Sequence, residues 1–145
     1  MDESDLKFDW YDAWILAAVV WAAEEDAEDA PVPLWRLIWT ADALNKAIVT
    51  RGELECGMGR LVNAGLIRVV PDGFQAMPKA RALKAPGWPM EIVSKAIGAR
   101  EWSPQSGLPK TQEATYVTVD AYNKALKKYH KEFWKLYHQR KQNDA

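Results

Sequence analysis

Two histidines and one cysteine are the side chains of this 145-residue chain most suited to metal binding or nucleophilic chemistry. His130 and His138 are eight residues apart. On one helix that spacing is about 12 Å, too far to share a metal ion. Cys56 follows Glu55 and has no base near it in the sequence that would activate its thiol. The sequence also contains no glycine-rich phosphate loop, serine elbow or paired-carboxylate motif. We therefore predict that the protein is not an enzyme and uses no cofactor and no metal.

Basic side chains are the remaining candidates for function, and they are unevenly distributed. The net charge is −9 over residues 1–30, +5 over residues 31–100 and +3 over residues 101–145, although the total is only −1. The basic part can attract a polyanion, unless the acidic head covers it. Its densest stretch, opposed only by Asp72, contains Arg68, Lys79, Arg81 and Lys84. Such a patch suits phosphate contacts, and an ordinary solvated basic face is the alternative.

Length and composition limit the scaffold that carries these residues. A chain of 145 residues with 48% apolar residues fits a single domain, 1–145. Its single cysteine excludes an intrachain disulfide and favours the reducing cytoplasm. The longest apolar run, 13–23, is shorter than the roughly 20 residues of a membrane helix. The first residues lack the basic start of a signal peptide. We expect a cytoplasmic protein that does not enter a membrane.

The first half of the chain predicts three helices. Residues 8–25 form the first, whose apolar residues surround it almost completely, and the acidic run 24–29 follows as an exposed connection. The second helix covers about 34–45. Thr50 and Glu53 have the spacing of a capping box, so they open a third helix, which Gly65 ends.

Shorter elements and a long terminal helix follow. Strands at 66–70 and 74–77 flank Pro71-Asp72-Gly73, a hairpin turn signal. A short helix over 79–85 closes a core that covers residues 8–85. Residues 86–117 form an extension and loop, with a short helix at 90–99. Residues 118–142 contain a long helix, capped by Thr118.

This order of elements resembles the winged helix-turn-helix family over about residues 10–85. The resemblance rests on Glu53-Leu54, on the run from Arg60 to Ile67, and on Asp72-Gly73-Phe74. It implies an α+β, mostly α fold: a three-helix core, a two-stranded wing and a C-terminal helical extension. It also implies a transcriptional regulator that binds double-stranded DNA, with the third helix in the major groove. The base contacts would come from Arg51, Arg60 and Asn63, and the phosphate contacts from Arg68, Lys79, Arg81 and Lys84.

The third helix departs from a typical reading helix. Glu53 and Glu55 place negative charge in its first turns, and Gly57 and Gly59 weaken it by roughly 1 kcal/mol each. Glycines allow close approach of a neighbouring backbone, or they simply accommodate bulky tryptophans. The alternative function is therefore a non-catalytic protein–protein interaction module that has lost DNA binding. It would hold its partner on the glycine-marked face or on the last helix.

The long helix predicts an interface of its own. A seam at alternating spacings of three and four contains Val119, Tyr122, Leu126, Tyr129, Phe133 and Leu136, with lysines on the other faces. The seam can pack on the chain's own first helix, giving a monomer, or on a second chain, giving a homodimer. The mostly apolar first helix favours the homodimer. The predicted interface contains Trp14, Trp21, Tyr122, Leu126, Tyr129 and Phe133. The acidic head can also lie against the lysine-rich faces.

Overall fold

The computed structural model of the protein describes residues 8–23, 29–104, 109 and 113–143. The elements are α1 Trp10–Ala23, α2 Leu34–Asn45, α3 Arg51–Asn63, β1 Ile67–Val70, β2 Gly73–Ala76, α4 Pro78–Arg81, α5 Pro89–Ile97 and α6 Val119–Asn143. The predicted α+β, mostly α class is confirmed. Most of the acidic connection, 24–28, and the start of the acidic head, 1–7, lie outside the described residues. Within the described part, no helix combines the length and the apolarity needed to span a membrane.

Helix α1 is the centre of the molecule. Its sequence is apolar on every side, and all of its residues except Trp10 and Trp21 are buried. It packs against α2, α3, α5 and β2 of the same chain. The indole Nε1 of Trp14 donates a hydrogen bond of 2.8 Å to the carbonyl of Ala41 in α2. A single chain thus encloses α1, which corrects the argument that a second subunit is needed to cover it. Trp14 belongs to the core and not to an interface.

Helix α3 begins and ends as the sequence predicts. The Thr50 hydroxyl accepts a hydrogen bond from the Glu53 amide, and the Glu53 carboxylate accepts one from the Thr50 amide, so the capping box is confirmed. After Asn63 the chain reverses at Gly65, whose φ of 74° favours glycine. The Leu66 amide then donates to the Leu61 carbonyl at 3.0 Å, which closes the helix end.

The hairpin is also confirmed, and it gains a partner that the sequence did not indicate. β1 and β2 are antiparallel, with Val70 opposite Gly73 and Pro71–Asp72 between them. Val32, in the connection before α2, forms an antiparallel bridge with Phe74. A Cβ at Gly73 would lie 2.2 Å from the Val32 carbonyl oxygen, so this close approach requires glycine.

Helix α6 packs mainly along α2 of the same chain, which corrects the predicted docking of its seam on the first helix. The Tyr122 hydroxyl donates to the Val49 carbonyl at 2.8 Å, and the Tyr129 hydroxyl donates to the Asp42 carboxylate. Tyr129 is buried and Leu126 is half-buried, whereas Phe133 is exposed. The seam is therefore covered in its middle by the same chain and open towards its C-terminal end. Tyr129 is not available to a second copy.

Candidate functional site

The outer face of α3 is covered by residues 113–117 of the same chain, which we call the covering segment. Glu55 is buried, and its carboxylate accepts hydrogen bonds from three consecutive backbone amides of that segment. These amides belong to Thr115, Tyr116 and Val117, with distances of 2.9 Å for Tyr116 and 2.7 Å for Val117. Hydrogen bonds to an ionised group are among the stronger ones in proteins. Glu55 therefore holds the covering segment on the predicted reading face.

Other contacts complete this cover. The Arg51 guanidinium donates to the Val117 carbonyl at 2.9 Å and to the Glu113 carbonyl at 3.4 Å. A Cβ on Gly52 would lie 2.9 Å from the Pro109 carbonyl oxygen, and one on Gly59 would lie 3.6 Å from the Tyr116 ring. The missing side chain at Gly52 thus admits Pro109, whereas Gly59 has room for a methyl group beside Tyr116. In this conformation the Arg51 guanidinium is hydrogen-bonded to the covering segment.

Arg60 also has its partners inside the molecule. Its Nε and Nη2 contact the two carboxylate oxygens of Asp12 at 2.6 and 3.0 Å, and Nη2 donates to the Tyr11 hydroxyl at 2.7 Å. A Cβ on Gly57 would lie 2.9 Å from Asp12 Oδ1, so this glycine makes room for the ion pair. Arg60 joins α3 to the central helix and is not held in a position to read bases.

In this cluster, burial and the Asp12–Arg60 ion pair act on each pKa in opposite directions, and the net shift is upward for both residues. Burial raises the pKa of Asp12 above its ordinary 3.8, although the hydrogen bonds and charge of Arg60 act against the rise. Burial alone would lower the pKa of Arg60, but the hydrogen bond and the charge of Asp12 outweigh it and raise that pKa. Arg60 is therefore a permanent cation that compensates a buried carboxylate.

The remaining predicted DNA contacts lie around the hairpin and α4. Asn63 is exposed at the end of α3. Arg68 is exposed on β1, and its guanidinium donates to the side-chain carbonyl of Gln75 on β2, at 3.1 Å from Nε. Arg68 and Arg81 line the same recess of about 180 Å³ beside the hairpin. Lys79 is exposed on α4, and Lys84 is half-buried just after it. The structure thus brings Arg68 and Arg81 together, away from the covered part of α3.

A second surface lies on the C-terminal half of α6. Four large apolar side chains there are 41–52% exposed, namely Phe133, Trp134, Leu136 and Tyr137. Beside them, an open groove of about 460 Å³ lies between α2 and α6. Its lining residues are Trp35, Arg36, Trp39, Thr40, Glu132, Lys135, Leu136 and Gln139. The Lys128 ammonium lies 5.2 Å from the centroid of the Trp35 ring, a cation–π contact. This surface combines exposed apolar side chains with neighbouring basic residues.

The residues suited to catalysis are not gathered into a site. Burial raises the pKa of the Cys56 thiol, which disfavours the reactive thiolate. His130 packs against the Tyr129 ring at 5.0 Å, and His138 lies 6.0 Å from the Trp134 ring. Among the residues that the structure describes, no three His, Cys, Asp or Glu side chains lie where they could hold a metal ion.

Two functional side chains were misjudged from the sequence. The sequence analysis indicated neither the hydrogen bonds of Glu55 to the covering segment nor the ion pair of Asp12 with Arg60. A carboxylate on an otherwise apolar helix, as Asp12 is on α1, must find a cation when it is buried, and this is a usable sequence signal. Nothing in the sequence near Glu55 indicates its partners, which lie 60 to 62 residues further along the chain.

Comparison with protein-family models, with curated proteins and with solved structures finds no match for this chain.

Proposed function

We propose that this protein is a non-catalytic protein-interaction module built on a winged-helix fold, and that it binds an acidic amphipathic segment of a partner protein. The order of three helices and a hairpin supports the winged-helix assignment, and the Val32–Phe74 bridge ties the hairpin to the connection before α2. We infer that it acts in the cytoplasm, because its single cysteine suits a reducing compartment.

The cover on α3 weighs against sequence reading by that helix. The Glu55 carboxylate and the Arg51 guanidinium are both engaged with the covering segment, and Arg60 is engaged with Asp12. Binding in a major groove would require removal of that segment and loss of its hydrogen bonds. It would also bring the negative charge of Glu55 close to phosphates. A protein-interaction module would keep the covering segment in place and would not bring Glu55 close to phosphates.

The observation that carries the proposal is the row of exposed apolar side chains on α6. Large exposed apolar patches mark interaction sites more often than ordinary surface does. Trp134 and Tyr137 are the residue types that contribute most to binding energy at protein interfaces. The adjoining groove has apolar walls from Trp35, Trp39 and Leu136, so a helix or strand of a partner can insert a side chain there.

The charge around this row selects an acidic partner over a second copy. Residues 124–140 contain six Lys or Arg residues and one acid, Glu132. Two copies of α6 placed face to face would bring like charges together, which is unfavourable. Carboxylates on the polar side of an amphipathic helix would instead pair with these lysines. Because salt screens charges, it should weaken binding to an acidic partner. It should strengthen self-association through this face, where like charges repel.

The test uses a synthetic helical peptide with leucines at positions i, i+3, i+4 and i+7 and glutamates elsewhere. Its binding to the full chain is followed by fluorescence anisotropy at low and high salt. We expect binding that Leu136→Ala or Trp134→Ala weakens roughly ten- to thirtyfold, as at an interface hot spot. Trp88→Ala is the matched control, because Trp88 is 58% exposed and lies outside this surface.

Three results would contradict the proposal. The first is equal binding of a peptide in which lysines replace the glutamates. The second is unchanged affinity in both α6 variants. The third is a homodimer in sedimentation equilibrium that Leu136→Ala dissociates, because a second copy would then occupy the face.

Duplex-DNA binding is a second candidate, favoured by the basic edge formed by Arg68, Lys79, Arg81 and Lys84. These side chains would contact phosphates through the wing and α4 without the covered part of α3. We expect this mode, if it operates, to give sequence-independent binding at about 50 mM salt that Arg81→Ala weakens. Binding that depends on base sequence would instead favour the reading helix.

A further inference from the structure

A groove of about 480 Å³ lies between the start of α1, the end of α2 and the start of α5. Its volume is in the range of small-molecule sites. Two indoles stand in its lining together with two carboxylates, an amide, a hydroxyl and a thioether. The lining residues are Trp10, Ala13, Asn45, Met90, Glu91, Ser94, Glu101 and Trp102. We call this the two-tryptophan groove.

One wall of the two-tryptophan groove is held rigidly by the core. The Trp10 ring stacks on Trp14, with 5.9 Å between centroids and 15° between planes. It also meets the Tyr11 ring edge-on at 5.6 Å. Trp14 is itself fixed by its hydrogen bond to the Ala41 carbonyl. The Trp10 face is therefore in place before any ligand arrives, which lowers the entropy lost on binding.

Another part of the lining is formed by the chain that follows α5. Gly98 adopts a φ of 65° and ends the helix, so that the chain turns back. The Arg100 amide then donates to the Phe8 carbonyl at 2.8 Å, which ties this segment to the start of α1. Glu101 and Trp102 follow directly and line the groove, where Trp102 is 63% exposed. A tryptophan this exposed has its ring available to a ligand.

The chemistry of the lining selects a cation with an apolar surface. Indole faces attract cations and also provide apolar contact, and a thioether adds soft, polarizable surface. Glu91 and Glu101 supply negative charge, and none of the described lining residues is a Lys or Arg. Glu91 pairs with Lys95 at 3.1 Å, but both side chains are mostly exposed, and such pairs are weak.

The geometry points to the two-tryptophan groove as a binding site for an alkylated ammonium ion. The ion is either a free small amine or the methylated lysine side chain of a peptide. An inorganic cation is less well suited, because among the described residues no three His, Cys, Asp or Glu side chains lie where they could hold a metal ion. An anion would meet two carboxylates. This site is independent of the proposed partner surface, because the two share no lining residue.

The test measures choline binding to the full chain by calorimetry and by NMR of the tryptophan indole N–H resonances. The neutral isostere 3,3-dimethylbutan-1-ol serves as the control for simple apolar binding. A tripeptide containing trimethyllysine, compared with its unmethylated form, distinguishes a peptide source from a free amine. We expect choline or the trimethyllysine peptide to move the Trp10 and Trp102 resonances, and the neutral alcohol to bind more weakly.

Matched variants locate the site. Trp102→Ala should weaken binding of the cation roughly two- to thirtyfold, the range of a cation–π contact, and Glu101→Gln should weaken it as well. Trp88→Ala and Asp72→Asn should leave it unchanged, because both residues lie outside the groove. All four positions are exposed, so circular dichroism should show an intact fold in each variant. Equal binding of choline and the neutral alcohol, no binding of either cation, or unchanged affinity in Trp102→Ala would each overturn the assignment.

Discussion

Replacing Arg60 by alanine should destabilise the protein and make its stability depend on pH. The substitution removes the Nε and Nη2 contacts to the Asp12 carboxylate, at 2.6 and 3.0 Å. It leaves that carboxylate with a hydrogen bond of 2.8 Å from the Asp9 amide. With Arg60 in place the Asp12 side chain is 0% exposed, and water that enters beside the truncated side chain compensates its charge only in part. The variant therefore retains a buried and incompletely compensated negative charge.

The size of the effect follows from the exposure of the pair. Removing one partner of a fully buried ion pair costs about 3–5 kcal/mol, and one hydrogen bond to a charged group contributes about 1.5–3 kcal/mol. The Arg60 side chain is 30% exposed, so solvent already screens part of its interaction. We therefore expect a loss of about 2–3 kcal/mol near neutral pH. At a typical urea dependence this lowers the unfolding midpoint by roughly 1–1.5 M.

The pH dependence has a definite sign. The pKa of Asp12 is raised in the folded state, so its ionisation opposes folding as pH increases through that pKa. Without Arg60 the pKa should rise further, because both Arg60 effects on Asp12 lower it. The cost of Arg60→Ala should thus be small at pH 4.5, where more of Asp12 is protonated in the variant, and larger at pH 7.5. Urea unfolding at both values measures the difference.

Arg140→Ala provides the matched control, because this exposed α6 arginine should change stability by no more than about 0.5 kcal/mol. Adding Asp12→Asn to Arg60→Ala should restore part of the loss at pH 7.5, since the buried charge is then removed. Equal losses for Arg60→Ala and Arg140→Ala, or an Arg60→Ala loss that is the same at both pH values, would refute the reasoning.

Three further predictions concern α3, the covering segment and the α2–α6 contact. Gly57→Ala should destabilise the protein by about 1–3 kcal/mol, because its Cβ would lie 2.7 Å from a buried side chain of α1. Gly59→Ala meets only an ordinary contact at 3.6 Å and should be neutral or stabilise α3 by up to about 1 kcal/mol; thermal unfolding compares the two. Glu55→Gln should speed hydrogen exchange of the covering-segment amides, whereas Asp72→Asn, at an exposed side chain of the hairpin turn, should not. Burial and the hydrogen bond to Asp42 raise the pKa of Tyr129 to about 12, so Tyr129→Phe should remove a tyrosine that ionises near pH 12 in a spectrophotometric titration.

Local sequence predicted the elements well, because the determinants of each lie within a few residues. The capping box of Thr50 and Glu53, the reversal at Gly65 and the hairpin turn each depend on residues only a few positions apart in the sequence. These features need no knowledge of the rest of the chain. The boundaries of α2 are local in the same sense, because they follow from the helical spacing of its own apolar residues.

The site could not be predicted, because its contacts join distant parts of the chain. Arg60 and Asp12 are 48 residues apart, and Glu55 and Val117 are 62 residues apart. The local sequence around an arginine does not show whether its side chain is free to contact DNA or paired with a carboxylate in the core. The apolar character of α1 predicts burial, but it does not decide between the rest of the domain and a second subunit as the cover, because the packing of α5 and the hairpin against α1 has no local signature.

The complete enclosure of α1 has a consequence for the newly made chain. This apolar helix leaves the ribosome before the elements that cover it, and its cover is complete only when α5 has followed, about 75 residues later. At ordinary synthesis rates of about 5–20 residues per second, that interval is roughly 4–15 s. During this time the least polar helix of the molecule is without most of its native neighbours. The nascent protein should therefore depend on chaperone binding to residues 13–23 more than its modest size would suggest.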